Sequence, residues 1–259
     1  MIKKQEPLKI AVISDCQVKG GVDLTYLTAI GNYIAVKKPN VIVNIGDFYD
    51  FPSLSSYDKG KLSFEGRRLK QDIEVGNKGM DLLLAPIKKE QERLKVNKKR
   101  QWHPRMIFTI GNHCERLKRV AKDSPEMEGF VGYHLLNLSD WEVHDFLKPV
   151  EVNGVWFTHY LQNSHTGKPL GGNALNQLKT VGQSFVCGHK QVLDVAIRPV
   201  LSGGLQIGII CGAAYLHKED YLGYIGNNHF RGITMLHNVI NGFGNPSFVD
   251  TQYLVDNYT

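Results

Sequence analysis

The sequence predicts an α/β fold built on a parallel sheet, and three observations carry that expectation. Short β-branched runs end on polar residues in "LKIAVISD", "NVIVNIGD" and "RMIFTIGNH"; a stretch with helical apolar spacing joins the first two; and the chain after Trp141 is dense in further strand-like runs. The runs are too short for helices and rich in Val and Ile, so they read as strands buried on both faces.

The elements follow in order. The first strand runs up to Asp15. The segment "DLTYLTAIGNYIAVKK" then places Leu24, Leu27, Ile30 and Ile34 on one helical face and leads into the strand ending at Asp47, which makes a βαβ unit. "FPSLSSYDKGKLS" is a loop by its Ser, Pro and Gly content. From about 66 to 100 a long helical insertion is expected, with Leu69, Ile73, Met80, Leu83, Ile87 and Leu94 as its apolar positions and Gly76, Gly79 and Pro86 as points of interruption or kinking. The third strand ends at Asn112. Beyond it, "WEVHDFL", "PVEVNG", "VWFTHY", "QSFVCGH", "VLDVAIRPV", "LQIGIICGAAY" and "RGITMLHNVI" read as strands, interrupted by the helix "NALNQLKTV" with Asn173 as its N-cap.

A chain of 259 residues, 42% hydrophobic, has enough apolar content for one large α/β domain over 1–259. Its apolar runs are too short for a signal-peptide core or a membrane span. Four cysteines stand without any CxxC pair, against a zinc ribbon or a disulfide scaffold and in favour of a reducing cytoplasm. The net charge of +6 is concentrated in Lys88–Arg105, which holds eight Lys or Arg against two Glu. Such a run is either a solvated helix face or a track for a phosphate backbone.

In open α/β sheets, ligands gather beyond the carboxyl ends of the strands. The residues at those tips are Asp15, Gln17, Asp47, Asp50, Asn112, His113, His159, His189 and Gln191, oxygen and nitrogen donors suited to divalent cations with no thiolate required. Singly, an Asp ending a strand is a helix cap or turn residue, and a His after "VWFT" is a rim histidine. Together they make a donor set.

The ordered blocks "SDCQ", "GDFYD", "GNHCER", "FTHY" and "GHKQ" resemble the calcineurin-like metallophosphoesterase superfamily, whose pattern runs D-x-H, G-D-x-x-D, G-N-H-[E/D], H and G-H-x-H. "FEGRRLKQDIEVGNKGMDLL" and "YLGYIGNNHFRGI" are similar in character to phage-encoded members, which would act in the cytoplasm of a bacterial host. The resemblance implies a four-layer α/β/β/α sandwich of two mixed sheets and a centre of two divalent metal ions. It implies Asp15, Gln17, Asp47 and Gln191 as ligands of the first ion and Asp47, Asn112, His159 and His189 as ligands of the second. It implies His113 as general acid, oriented by Asp50. Arg116, one turn on, is either a contact for a substrate oxygen or a surface salt bridge.

The sequence departs from the pattern at Gln17 and Gln191, both histidines in the usual form and both at the first ion. An all-oxygen set favours Mn or Mg there, whereas two imidazoles at the second ion suit Mn, Fe or Zn. The alternative is a decayed site holding one ion or none. Cys16, Cys114 and Cys187 neighbour motif residues and read as small buried side chains, with a thiol-sensitive site as the alternative. The expected activity is phosphoester hydrolysis, with DNA, RNA or nucleotide diesters as substrate; a phosphomonoesterase and a non-catalytic metal or nucleic-acid binding module are the alternatives. Oligomeric state is not legible.

Overall fold

The computed structural model describes residues 6–57, 60, 62–201 and 203–259. Two sheets face each other. In the first, β1 (Leu8–Ile13), β2 (Val41–Asn44), β3 (Arg105–Thr109) and β4 (Glu142–His144) run parallel as neighbours; β10 (Gly232–Ile240) adds antiparallel to β1, and β11 (Phe243–Asp250) to β10. The second has the order β5 (Val150–Val152), β6 (Val155–Thr158), β7 (Phe185–Cys187), β9 (Leu205–Cys211), β8 (Leu193–Pro199), with β6, β7 and β9 parallel.

Strand alternation sorts the core into layers. Ile10, Val12, Val41, Val43 and Ile107 point toward Val155, Phe157, Val186, Ile207 and Ile209 of the opposing sheet, whereas Ala11, Ile13, Ile42 and Phe108 point the other way, toward helices. Those helices are α1 (Thr25–Lys37), α2 (Leu69–Val96) and α5 (Thr251–Tyr258), with Cys114 and Leu117 of α3 (Asn112–Asp123) joining the same cluster. On the outer face of the second sheet, Ala174 and Leu178 of α4 (Ala174–Val181) cover Phe185 and Ile210. The result is the expected α/β/β/α sandwich. Each fully buried Ile or Leu in these clusters contributes about 1.5–3 kcal/mol, so both faces of the first sheet are strongly specified.

Local chemistry sets the ends of the elements. Asp23 accepts from Thr25 N and Oγ1 at 2.9 and 2.7 Å at the start of α1, which stops where Lys38 turns left-handed (φ 48°) ahead of Pro39. Asn173 caps α4 by accepting from Asn176 N at 2.9 Å. The helical stretch after β2 is a single helix, α2, that carries the crossover from β2 to β3 and rests on α1. Gly76, Gly79 and Pro86 do not break it. Gly76 instead lies flat against the Tyr49 ring, where a Cβ would fall 2.1 Å from Cδ1. The loop expected after β2 holds 3-10 turns at Pro52–Leu54 and Leu62–Phe64; residues 58, 59 and 61 of it lie outside the described residues.

Candidate metal centre

Five strand tips deliver their polar residues to one place. Asp15 follows β1, Asp47 follows β2, Asn112 opens α3 after β3, His159 follows β6 directly and His189 lies just past β7. The two sheets are tied together there, because Asp15 bridges to Ala213 beyond β9 and its carbonyl accepts from Ala214 N at 2.8 Å. The backbone bends sharply to aim the side chains: Gln17, Asp47, His189 and Gln191 all adopt left-handed φ, between 46° and 68°. For residues with a Cβ this conformation is costly and clusters at functional sites. Two motif glycines are required by contact. A Cβ on Gly111 would fall 2.1 Å from Asp47 Oδ1, and one on Gly188 2.3 Å from Asp15 Oδ1.

Asp47, Asn112, His159 and His189 form a closed cluster. His159 Nδ1 faces the Ile45 carbonyl at 3.0 Å and so carries a proton, which turns Nε2 toward Asn112 Oδ1 at 2.9 Å and Asp47 Oδ2 at 3.1 Å. His189 Nδ1 lies 2.8 Å from the same Asn112 oxygen. Asp47, His159 and His189 each place one ligand atom within 4.8 Å of the others. Acceptor atoms crowd together in this way only around a proton or a cation. The electrostatics agree: burial works against charge on His159, yet the Asp47 carboxylate outweighs it and raises the imidazole to about 9. Burial likewise opposes charge on Asp47, and His159 and His113 overcome it to hold the carboxyl below its ordinary range. His189, pulled down to about 4 by burial and then by His159, is a neutral donor. Among the described residues this donor set fits a divalent ion.

Asp15, Gln17 and Gln191 lie alongside. The Asp15 carboxylate accepts from His189 N at 3.1 Å, and burial pushes its carboxyl up to about 7. Gln17 Oε1 accepts from the Tyr221 hydroxyl at 3.2 Å, Gln191 Nε2 donates to the same hydroxyl at 2.9 Å, and Gln191 Oε1 accepts from Tyr215. Gln17 Nε2 is buried with no hydrogen-bond partner.

His113 sits where this cluster opens to a cleft. Its N–H donates to Asp47 Oδ1 at 2.8 Å, its Nδ1 meets Asp50 Oδ1 at 2.5 Å, and its Nε2 stands 3.9 Å from Asp47 Oδ2. Burial lowers the imidazole, but Asp47 and Asp50 together raise it. Arg116 pairs with Asp50 at 3.7 Å, and the pair is largely buried. Its Nη1 donates to the Asp50 carbonyl at 3.0 Å and its Nη2 approaches His113 Nε2 at 3.3 Å. The cleft has a volume of about 900 Å³ and is lined by Lys19, Arg67, Arg68 and Arg116 among others. Lys19 is held there by Glu219 at 2.5 Å and by Asp50 at 3.8 Å.

Residues 8–199 match the family described as Calcineurin-like phosphoesterase. The chain belongs to the calcineurin-like phosphoesterase family. Members of this phosphoesterase family are metal-dependent hydrolases that bind two divalent ions. The chain is also similar to the "Gene 54 protein" of Mycobacterium phage D29, 35% identical over 80 residues that cover 31% of this chain and 30% of that protein. The Gene 54 protein of Mycobacterium phage L5 is 39% identical over 66 residues, covering 26% of each. The chain thus spans under a third of the length of these phage relatives.

Several residues at the site escaped the sequence reading. Tyr215, Tyr221, Lys19 and Glu219 lie outside the five motif blocks; only Tyr221 falls in a stretch the sequence singled out, "YLGYIGNNHFRGI", and there for its phage-like character. Conversely, the basic run does not reach the cleft. Lys88 lies roughly 28 Å along α2 from Leu69 at 1.5 Å per residue, and Lys88, Arg93, Lys95 and Arg105 pair with Asp140, Glu90, Glu92 and Glu142. His165 lies on an exposed turn, its N–H bonded to Asn163. All four cysteines are buried free thiols. Among the described residues no helix is long and apolar enough to cross a membrane.

Proposed function

We propose that this protein hydrolyses phosphodiesters of nucleic acids or nucleotides, with two divalent ions. The observation that carries the reading is His113: its Nδ1 is locked to Asp50, while its Nε2 lies between the acceptor cluster and an open cleft that Arg116 also lines. Asp15, Gln17, Asp47 and Gln191 are the ligands of the first ion, whose oxygen donors select Mn²⁺ or Mg²⁺. Asp47, Asn112, His159 and His189 hold the second, where imidazoles admit Mn, Fe or Zn. The Gln17 amide supports this assignment: its Nε2 is buried without a partner while its Oε1 accepts from Tyr221, and the amide turned end for end satisfies the nitrogen on Tyr221 and leaves the oxygen for a cation.

The ions, when bound, supply Lewis acidity that acidifies water and offsets charge on the phosphoryl oxygens. The protein's own groups supply the rest. Asp50 keeps the His113 ring turned so that Nε2 faces the departing oxygen and gives it a proton. Arg116 offers its planar fork to a non-bridging oxygen. In the resting arrangement Nη2 points at His113 Nε2; drawing the guanidinium onto a phosphate frees that nitrogen to carry its proton. A cleft of about 900 Å³, lined by Lys19, Arg67, Arg68 and Arg116 and by Asp50, Glu65, Asp72 and Glu219, has room for more than a single phosphate group, and that room favours a diester. The free thiols and the mycobacteriophage relatives make the cytoplasm of an infected bacterium the fitting compartment.

The test compares bis-aryl phosphodiester, aryl phosphomonoester, DNA and RNA with Mn²⁺, for the wild type and Asp47→Asn. Diester turnover should exceed monoester turnover and be lost in the variant. Comparable activity in Asp47→Asn would sink the mechanism, a monoester preference would move the substrate to nucleotides or phosphoproteins, and salt-dependent nucleic-acid binding without turnover would leave a binding module.

A further inference from the structure

An amide differs from a carboxylate or an imidazole in one respect that matters to a metal. Its two ends have nearly the same shape but opposite chemistry, since the oxygen accepts and the nitrogen only donates. A centre that uses glutamine must therefore settle which end faces the cation. Histidine in the same place meets the cation with whichever nitrogen carries no proton, because its proton can sit on either ring nitrogen, a freedom the amide lacks.

Tyr221 is placed to make that decision for Gln17 and to share it with Tyr215 for Gln191. Its hydroxyl lies 2.9 Å from Gln191 Nε2 and 3.2 Å from the nearer end of the Gln17 amide, so one oxygen touches both side chains. Gln191 is already sorted, because Tyr221 takes its nitrogen while Tyr215 donates to its oxygen. Tyr215 is in turn fixed, fully buried with the Arg231 guanidinium 4.5 Å from its ring centre. Gln17 has its oxygen on Tyr221 and its nitrogen buried without a partner. Half a turn of that amide about its last bond cures the defect. Nε2 then donates to the Tyr221 hydroxyl, Oε1 takes the orphaned position, and the Tyr221 proton is released toward the cleft that this residue lines.

We propose that Tyr221 is a positioning residue that sorts the Gln17 amide and, together with Tyr215, the Gln191 amide, holding both nitrogens so that the oxygens are left for the first ion. This rests on the reading of Asp15, Gln17, Asp47 and Gln191 as that ion's ligands. The tyrosine completes what the two glutamines lack, and a divalent ion at the first site depends on its hydroxyl.

The test is Mn²⁺ titration of full-length protein, followed by calorimetry and by the electron paramagnetic resonance of free Mn²⁺, for wild type, Tyr221→Phe, Gln17→His/Gln191→His and the triple variant. The wild type should take up two ions. Tyr221→Phe should weaken one of them about 10–100-fold, as is usual when a group that orients a ligand is removed, and leave the other unchanged. Phenylalanine keeps the ring, and the unchanged ion reports that the fold is intact. In the histidine background, where no amide end has to be chosen, the same substitution should change affinity by less than about twofold. Two ions in the wild type with both constants unaltered in Tyr221→Phe would overturn the role of Tyr221 alone, as would an equal loss in the histidine background. A single ion in the wild type would overturn the ligand assignment and this proposal with it.

Discussion

Replacing His113 by alanine should slow the two ends of a leaving-group series unequally. Only His113 Nε2 is placed to protonate a departing oxygen, since Nδ1 is occupied by Asp50 at 2.5 Å. A positioned general acid is worth about 10²–10⁴ in rate, or about 3–5 kcal/mol. That whole factor should disappear for an alkyl phosphodiester, whose leaving group needs the proton, and hardly any of it for an activated aryl ester. Asp50→Asn tests the second half of the device. It exchanges a charge-assisted hydrogen bond of about 1.5–3 kcal/mol for a neutral one of about 0.5–1.5 kcal/mol, so the alkyl substrate should lose about 5–15-fold at 1.36 kcal/mol per decade. Because Asp50 acts through the imidazole, adding Asp50→Asn to His113→Ala should cost less than about a further twofold. The measurement is kcat/KM over a series of alkyl and aryl diesters at saturating Mn²⁺. Equal losses at both ends of the series for His113→Ala, or full additivity in the double variant, would refute the reasoning.

Other consequences are open to direct measurement. Gly111→Ala drives a Cβ to 2.1 Å from Asp47 Oδ1 and 2.3 Å from Asp47 N, so it should cost about 1–3 kcal/mol in denaturant unfolding and weaken Mn²⁺ binding; unchanged Mn²⁺ affinity would contradict the close approach. Mn²⁺ at about a hundred times its Kd should stabilise the fold by about 2.7 kcal/mol and raise Tm by roughly 5–10 °C for a chain of this size, reversed by chelator; no shift with Mn²⁺, Mg²⁺ or Zn²⁺ would count against a metal centre. Glu142, whose hydrogen bonds from Arg105 lower its carboxyl to about 2, stabilises the fold fully above its ordinary 4.5 and loses that contribution as pH falls through about 2. Both partners are 44% exposed, so the advantage over Glu142→Gln should be at most about 1 kcal/mol and should shrink over that window in urea titrations; a gap that grows on acidification would show the wrong sign. Burial pushes the Cys114 and Cys211 thiols up to about 12, so iodoacetamide should leave native protein unlabelled and its activity intact, and inactivation would point to a thiol at the site.

What the sequence reveals and what it hides divide along the range of the interactions involved. β1, β2 and β3 were legible because both of their faces are buried, which forces an unbroken apolar run. β11 was not: it is an edge strand carrying Gly244 and Pro246, residues that argue against a strand anywhere except at an edge. Gly76 and Gly79 looked like helix breakers, yet they serve the contacts of α2 with Tyr49 and Val18, which local composition does not report. The same division runs through the candidate site. Asp15, Asp47, Asn112, His159 and His189 stand at strand ends, where their types and order declare a donor set. Tyr221 meets Gln17 across 204 residues of chain, on a segment with no motif of its own. A motif can name a ligand because the ligand's type is fixed where the strand ends; it cannot name the group that turns the ligand, because any distant side chain with the right hydrogen-bonding end will serve. Two glutamines in place of histidines therefore say more than a change of ligand. As ligands of the proposed first ion they would require a partner elsewhere that distinguishes amide oxygen from amide nitrogen, and in this fold the hydroxyl that touches both is Tyr221.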